Sequence, residues 1–343
     1  MLTFNTFIPK FNNSPIIQPQ QRPVSRFNNL APLPYDTVSF GQSEKNIGNP
    51  KFGITQTEAE RIHQEAITSG KYLNLQLTNI LGDLVAPEGA TPTKQKPIEA
   101  IHYRIKSPDS IREKSATRRW INSDEVKSNM TDIVGARIIL GKTTTDCIDK
   151  VLDRITAAER DNKLQIIEIE NYRPEPEIDE EGNIVHSYDY SSPQALRRLK
   201  AECDKKGTMI SKKDEDVPTG YTAIHLLTKL PNGFTGEIQI LGAGVGKLKD
   251  IEDLCYKIKS GKSIDKKYKP MEKILEPLKN KDDVILKREF NNYTRASYIY
   301  QRDKYLGRTT QKEEYLPIPE YLPPELDFNN LAKKKHECDD ANK

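Results

Sequence analysis

Residues 221–241 read YTAIHLLTKLPNGFTGEIQIL. Two strand-like runs, Tyr221 to Leu230 and Phe234 to Leu241, flank Pro231-Asn232-Gly233. Such a turn between β-rich runs predicts a hairpin. Strand side chains alternate between faces. Ile224, Leu226 and Leu230 therefore share one face, joined across the pair by Ile238 and Ile240. Tyr221, Ala223, His225 and Leu227 share the other. A three-residue loop sets His225 opposite Gln239 and Leu227 opposite Glu237. Tyr221, His225, Glu237 and Gln239 thus gather on one polar face of a sheet. An aromatic, an imidazole and a carboxylate together suit stacking on a base and deprotonating a hydroxyl. An ordinary exposed sheet face is the plain alternative.

Working outward from the hairpin, helix and strand signals alternate. Ala136 to Leu140 is a short apolar run after a glycine, hence a buried strand. Leu164 to Ile169 reads as a second strand. Thr144 to Arg160 and Ser192 to Lys205 read as helices. A further helix begins near Thr55, with Thr57 as cap and Glu58 to Ile67 following. Tyr72 to Leu84 continues in helical spacing. Val85 to Pro97, with its prolines, is a loop, and so is the acidic stretch from Pro174 to Gly182. After Gly246 the chain turns helical and basic: Tyr256 to Lys312 holds sixteen Lys and Arg against seven Asp and Glu, an excess that matters electrostatically.

Composition bounds the class. Across 343 residues, 53 Lys and Arg nearly balance 50 Asp and Glu, so no whole-chain argument for nucleic acid follows. Charged residues reach 30% and aromatics 7%, which describes a wet surface around a moderate core with disordered ends. The four cysteines, Cys147, Cys203, Cys255 and Cys338, lie far apart. That spacing excludes a C-x-x-C zinc site and a disulfide scaffold, and reads as buried small apolar residues in a reducing compartment. No run is long enough for a signal peptide or a membrane-spanning helix. The expected location is cytoplasmic, with no membrane partner.

Two further clusters carry candidate chemistry. In Arg104-Ile-Lys-Ser-Pro-Asp-Ser-Ile-Arg-Glu-Lys114, Arg104, Lys106 and Lys114 surround Ser107 and Ser110. Ser107 or Asp109 suits the cap of a helix starting near Ser110. A helix N-terminus with adjacent cations cradles polyphosphate, because free N–H groups and the dipole both favour anions. A solvated basic helix start is the bland reading. In Asp132-Ile-Val-Gly-Ala-Arg137, a carboxylate stands just before a buried strand, where such groups hold Mg²⁺. Gly135 would permit a tight approach or unusual backbone angles. A salt bridge between Asp132 and a nearby Arg is the bland reading there.

Taken in order, RIKSPDSIREK, DIVGAR, GYTAIH and EIQI resemble the RelA/SpoT synthetase domain. The resemblance spans roughly residues 55 to 265. It implies an α+β fold, a mixed β-sheet flanked by helices in a nucleotidyltransferase-like domain with a helical C-terminal extension. The implied division is a disordered tail over 1–52, the synthetase domain over 53–265, a basic helical extension over 266–312 and a flexible tail over 313–343. The implied activity transfers pyrophosphate from ATP to the 3′-hydroxyl of GDP or GTP. Arg104 and Arg137 would sandwich the adenine, since guanidinium planes stack on rings. Lys106, Ser107, Ser110 and Lys114 would hold the triphosphate. Asp132 and Glu237 would be the catalytic and Mg²⁺-binding carboxylates, with Glu237 also taking the hydroxyl proton. Tyr221, His225 and Gln239 would contact the acceptor.

The likeness has gaps. The family usually carries Arg-Thr after Glu-x-Gln-Ile, where this chain has Leu241 and Gly242. It often carries Lys four residues before the motif tyrosine, where this chain has Val217. Both charges would ordinarily sit near acceptor phosphates. Two alternatives therefore stand beside the guanine nucleotide. One changes the acceptor to the tRNA 3′ end or an adenine nucleotide, with the basic stretch and Tyr293, Tyr298, Tyr300 and Tyr305 as an RNA surface or, more plainly, as a solvated face with core tyrosines. The other is a nucleotide-binding module without turnover, against which Asp132 and Glu237 both speak. No His-Asp pair of the alarmone hydrolase type occurs. Self-association is left open.

Overall fold

The computed structural model describes residues 53–341 except 142–143, 174–176, 179–180, 182–183, 187–192, 208–210, 217–218, 262–263, 281–282 and 309–313. The expected N-terminal tail and Val217 lie outside the described residues.

The first helix, α1 (Gln56–Leu81), takes the Glu58–Ile67 run and its continuation from Tyr72 into one continuous element. Thr55, not Thr57, caps it: its hydroxyl accepts from Glu58 N, and the Glu58 carboxylate accepts from Thr55 N. Such a reciprocal box is worth about 1 kcal/mol. Ala59, Ile62, Ala66, Leu73, Leu77 and Leu81 are fully buried, a stripe at helical spacing. Gly70 permits the close packing in the middle of the helix, since a Cβ there would lie 2.5 Å from Ile105 Cδ1.

The remaining elements run β1 (Ile98–Ile105), α2 (Pro108–Arg118), α3 (Ser123–Asn129), β2 (Val134–Leu140), α4 (Thr145–Arg160), β3 (Ile166–Arg173), β4 (Glu177–Ile178), β5 (Ile184–His186), α5 (Pro193–Lys205), β6 (Ser211–Asp216), β7 (Ala223–Lys229), β8 (Thr235–Gly242), α6 (Ala243–Lys259), α7 (Lys269–Leu275), α8 (Val284–Tyr305) and α9 (Phe328–Asp340). Six strands form one mixed sheet in the order β1-β2-β8-β7-β3-β6. The β2–β8 and β3–β6 pairs are parallel and the others antiparallel. The fold is α+β, as expected. Strands β4 and β5 pair separately, β4 inside the stretch read as a loop and β5 just after it.

One sheet face, carrying Ile138, Ile169, Ile224, Leu226, Ile238 and Ile240, packs with α1, α4 and α5 in the larger core. The opposite face bears a second core, in which Tyr221, Ala223 and Leu241 meet Leu248, Ile251, Met271, Phe290, Tyr293, Tyr298, Phe328 and Leu331. This corrects two expectations. Segment 313–343 is no flexible tail in its described part: Tyr315, Leu322, Leu326, Phe328 and Leu331 are buried, and α9 packs on α6. Nor does a boundary fall at residue 266, because α6, α7, α8 and α9 share that second core. Burying each such Leu or Phe contributes roughly 1.5–3 kcal/mol.

The four cysteines are free and buried. Burial pushes the thiols of Cys203 and Cys255 up to about 12, so both stay protonated and unreactive. No helix among the described residues is long and apolar enough to cross a membrane.

Candidate active site

The hairpin forms in the expected register, with His225 opposite Gln239 and Leu227 opposite Glu237. Its turn places Asn232 and Gly233 at φ 66° and 79°. Pairing then carries the polar row across the sheet: His102 faces Arg137, Arg137 faces Gln239, Gln239 faces His225, and His225 faces Glu170. One step along, Arg104 faces Gly135 and Gly135 faces Glu237. Paired residues share a face, so Arg104, Arg137, Glu237, Gln239 and His225 stand on the same side. Gly135 needs neither a tight approach nor an unusual angle. A Cβ there would meet only Arg104 O at 3.8 Å and Glu237 O at 4.0 Å. Its bare backbone leaves the sheet floor open between Arg104 and Glu237.

The basic cluster lies where β1 and β2 meet their flanking loops. Lys106 follows β1, and its N–H donates to Ile133 O. Ser107 caps α2: its hydroxyl accepts from Ser110 N at 3.3 Å and donates to Ser110 Oγ at 3.0 Å. Asp132 accepts from Lys106 Nζ at 2.6 Å and from Lys114 Nζ at 3.0 Å, so it is ion-paired to two lysines and not to the arginine expected. Burial alone would raise the Asp132 carboxyl, but the two ammoniums outweigh it and hold it below its ordinary value. Lys106 moves down as well. Its burial, with Lys114 and Arg104 nearby, outweighs the single carboxylate. One Asp therefore serves more positive charge than it can neutralise, which leaves a site that seeks an anion.

Arg137 Nη1 donates to Asp250 at 2.8 Å and its Nε to Gln239 Oε1 at 3.2 Å. Burial opposes the charge, but Asp250 more than restores it, and the guanidinium titrates above its ordinary value. Gln239 Nε2 in turn donates to Glu237 Oε2 at 2.8 Å. Burial raises Glu237, but His225 and Gln239 prevail and the carboxyl lies below its ordinary value. Glu237 is thus a carboxylate at neutral pH. His225 Nδ1 lies 3.1 Å from Glu237 Oε1, and Tyr221 Oη lies 3.0 Å from His225 Nε2.

Gly220 is required where it stands. Its φ is +78°, and a Cβ would lie 2.8 Å from Arg295 O on α8. That approach seats Tyr221 in the second core, edge-on to Tyr298 at 5.7 Å. Tyr221 is only 7% exposed, with Tyr172, His225 and Lys249 also around its ring. It therefore offers no open face to a base in this arrangement. Tyr172, half-buried and tilted against His225 at 4.6 Å, is the less covered ring. Sequence reading passed over Tyr172, Glu170, Lys249 and Asp250. Extending the Leu164–Ile169 strand by its own alternation would have put Glu170 and Tyr172 on the site face.

In the basic C-terminal helices, Tyr293, Tyr298 and Tyr300 are buried, as is Arg302. The plain reading of these tyrosines as core residues holds, while the Tyr305 side chain lies outside the described residues.

No family model matches the chain, and no curated protein matches it. Among solved structures, it is similar to the small alarmone synthetase 1 from Bacillus subtilis bound to its product pppGpp, at 20% identity over 67% of this chain and 95% of that one, with a TM-score of 0.35. It is similar also to a GTP pyrophosphokinase family protein from Streptococcus pneumoniae, at 19% identity over 70% of this chain and 97% of that one, with a TM-score of 0.37. The small alarmone synthetase 2 from Bacillus subtilis matches at 17% identity over 72% of this chain and 96% of that one, with a TM-score of 0.39.

Proposed function

We propose that this chain transfers the β,γ-pyrophosphoryl group of ATP to the 3′-hydroxyl of GDP or GTP, releasing AMP, in the manner of the RelA/SpoT synthetases its motifs resemble. One observation carries the reading: Lys106 and Lys114 converge on the single carboxylate of Asp132, with Arg104 near Lys106, beside the N-terminus of α2 and the sheet that bears Glu237 and His225. A triphosphate is the anion that such a surplus suits.

In this mechanism Lys106, Lys114, Ser107 and Ser110 bind the triphosphate, and Arg104 and Arg137 flank the adenine. Glu237 accepts the proton as the hydroxyl oxygen attacks the β-phosphorus, and the bond to the α-phosphate oxygen breaks with its electron pair leaving on AMP. Alignment and charge stabilisation carry such a transfer, without a covalent enzyme intermediate. Asp132 and Glu237 supply the hard oxygen donors that Mg²⁺ takes alongside substrate phosphates, and the Asp132 charge already reaches Glu237. When bound there, Mg²⁺ supplies charge neutralisation at the phosphates.

A second acceptor is favoured by one observation. On the acceptor side, beside Tyr221, Lys249 is ion-paired to Glu252 and Asp253. That arrangement spends a cation that the phosphates of a free nucleotide acceptor would need. The test is incubation with γ-labelled ATP and GDP, GTP, ATP or bulk tRNA as separate acceptors. Label on a guanine nucleotide is expected. Label on tRNA or on an adenine nucleotide replaces the acceptor, and no transfer to any of them overturns the activity.

A further inference from the structure

The polar row does not end at His225. One ligand atom each of Glu170, His225 and Glu237 lies within 4.8 Å of the other two. His225 Nδ1 is 3.1 Å from Glu237 Oε1 and 3.7 Å from Glu170 Oε2. It is buried, yet it makes no aligned hydrogen bond to either carboxylate. The other ring nitrogen, Nε2, is held by Tyr221 Oη at 3.0 Å. In the tautomer that donates Nε2–H to Tyr221, the Nδ1 lone pair faces the two carboxylates, and a cation between the three satisfies all of them.

We infer that Glu170, His225 and Glu237 form a binding site for a borderline divalent transition-metal ion of the Zn²⁺ or Co²⁺ class, separate from the Asp132 lysine cluster. Geometry fits that class. Ligands at about 2.1 Å around a tetrahedral centre stand about 3.4 Å apart, a value bracketed by the two distances from His225 Nδ1. Chemistry fits it too, because an imidazole with two carboxylates suits zinc and its neighbours, whereas Mg²⁺ prefers an all-oxygen shell. Three protein ligands leave a fourth position open.

The surroundings orient each ligand, as outer-shell partners do at metal sites. Gln239 Nε2 donates to Glu237 Oε2, which leaves Oε1 toward His225. Tyr172 Oη donates to Glu170 Oε2 at 2.9 Å. Tyr221 fixes the imidazole through Nε2. Two carboxylates and a divalent ion sum to zero charge, which suits a site this buried. An ion there occupies Glu237, so on the mechanism proposed above it silences pyrophosphate transfer. That consequence rests on the proposed mechanism, and the binding site does not.

The test uses the full chain, freed of metal with a chelator and without nucleotide. Titration with ZnCl2 in excess MgCl2 is expected to show one saturable equivalent per chain. Loading with Co²⁺ is expected to give visible absorption from a nitrogen and oxygen shell. X-ray absorption of the zinc-loaded protein should count one imidazole and no sulfur. Glu170→Gln and His225→Asn should each weaken Zn²⁺ binding on the order of 100-fold or more, above the loss seen for outer-shell partners, while Asp132→Asn leaves it in place. Circular dichroism and a melting curve confirm that the variants fold. No saturable Zn²⁺ or Co²⁺ binding to the wild type overturns the site, as does a shell without imidazole or binding that survives both ligand variants. A separate measurement addresses the consequence: one equivalent of Zn²⁺ should abolish any transfer from ATP, and full transfer by the loaded protein refutes the silencing while leaving the site standing.

Discussion

Arg137 offers a sharp test of the donor site, because its in-plane and face-on roles come apart. Its edge is occupied by Asp250 and Gln239, and the planar face is the part assigned to the adenine. Arg137→Ala removes that face. Stacking of this kind is worth roughly 1–3 kcal/mol, which is about a 5- to 140-fold weaker Kd. Arg137→Lys retains a charge but no plane, and should lose most of the same affinity. Stability should change little by comparison. The Asp250 side chain is 44% exposed, so its carboxylate returns to water when the pair breaks, and a pair this open contributes at most about 1 kcal/mol. Calorimetric titration with a non-hydrolysable ATP analogue, beside urea denaturation of the same variants, separates the two effects. Unchanged affinity in Arg137→Ala refutes the adenine assignment. Full affinity in Arg137→Lys with loss in Arg137→Ala assigns Arg137 to charge and not to stacking.

Asp132→Asn and Glu237→Gln should each keep the fold but lower transfer on the order of 100-fold or more, and near-normal initial rates in both refute their catalytic assignment. Phe328→Ala, which removes a ring stacked on Tyr293 at 4.7 Å, should cost about 3–5 kcal/mol in urea denaturation, and a negligible cost would mean that α9 does not dock. Asp339 accepts from Lys267, Tyr268 and Lys335; burial opposes its charge, but these donors hold the carboxyl well below the usual range. A depressed folded-state pKa gives stability that is present above the ordinary aspartate value of about 4 and is lost as pH falls through the depressed one, so a urea series across that acid window should show a decline that Asp339→Asn flattens.

The hairpin was legible because its signals are local. Period-two alternation, a Pro-Asn-Gly turn and a short loop fix both faces and register without help from the rest of the chain. The two edge strands were silent for a physical reason. Strand β1 is mostly half-buried or exposed, and β6 reads SKKDED. Edge strands carry charge to avoid pairing with other chains, which erases the hydropathy pattern that betrays central strands. The C-terminal segment misled in the opposite way. Its prolines suggest a tail, but Leu322, Leu326, Phe328 and Leu331 are buried, and Asp327 caps α9 by accepting from Asn329 N. Glu170 and Tyr172 escaped because the strand was ended at Ile169, where apolar residues give way to polar ones. On a sheet with chemistry on one face, that change of character marks the site and not the end of the strand.

The arrangement of charge joins these observations. Around Asp132 the balance is positive, through Lys106, Lys114 and Arg104. Across the sheet it turns negative: Glu170 and Glu237 stand over His225, and α6 brings Asp250, Glu252 and Asp253 against Arg137 and Lys249. A polyphosphate and a hydroxyl awaiting deprotonation need opposite fields, and a single flat floor at Gly135 separates the two ends. Helices outside the sheet back the negative end. Gly220 presses on α8, Tyr298 backs Tyr221 and donates to Glu252 Oε2 at 2.6 Å, and Tyr221 holds His225. The C-terminal helices therefore serve the site as its scaffold.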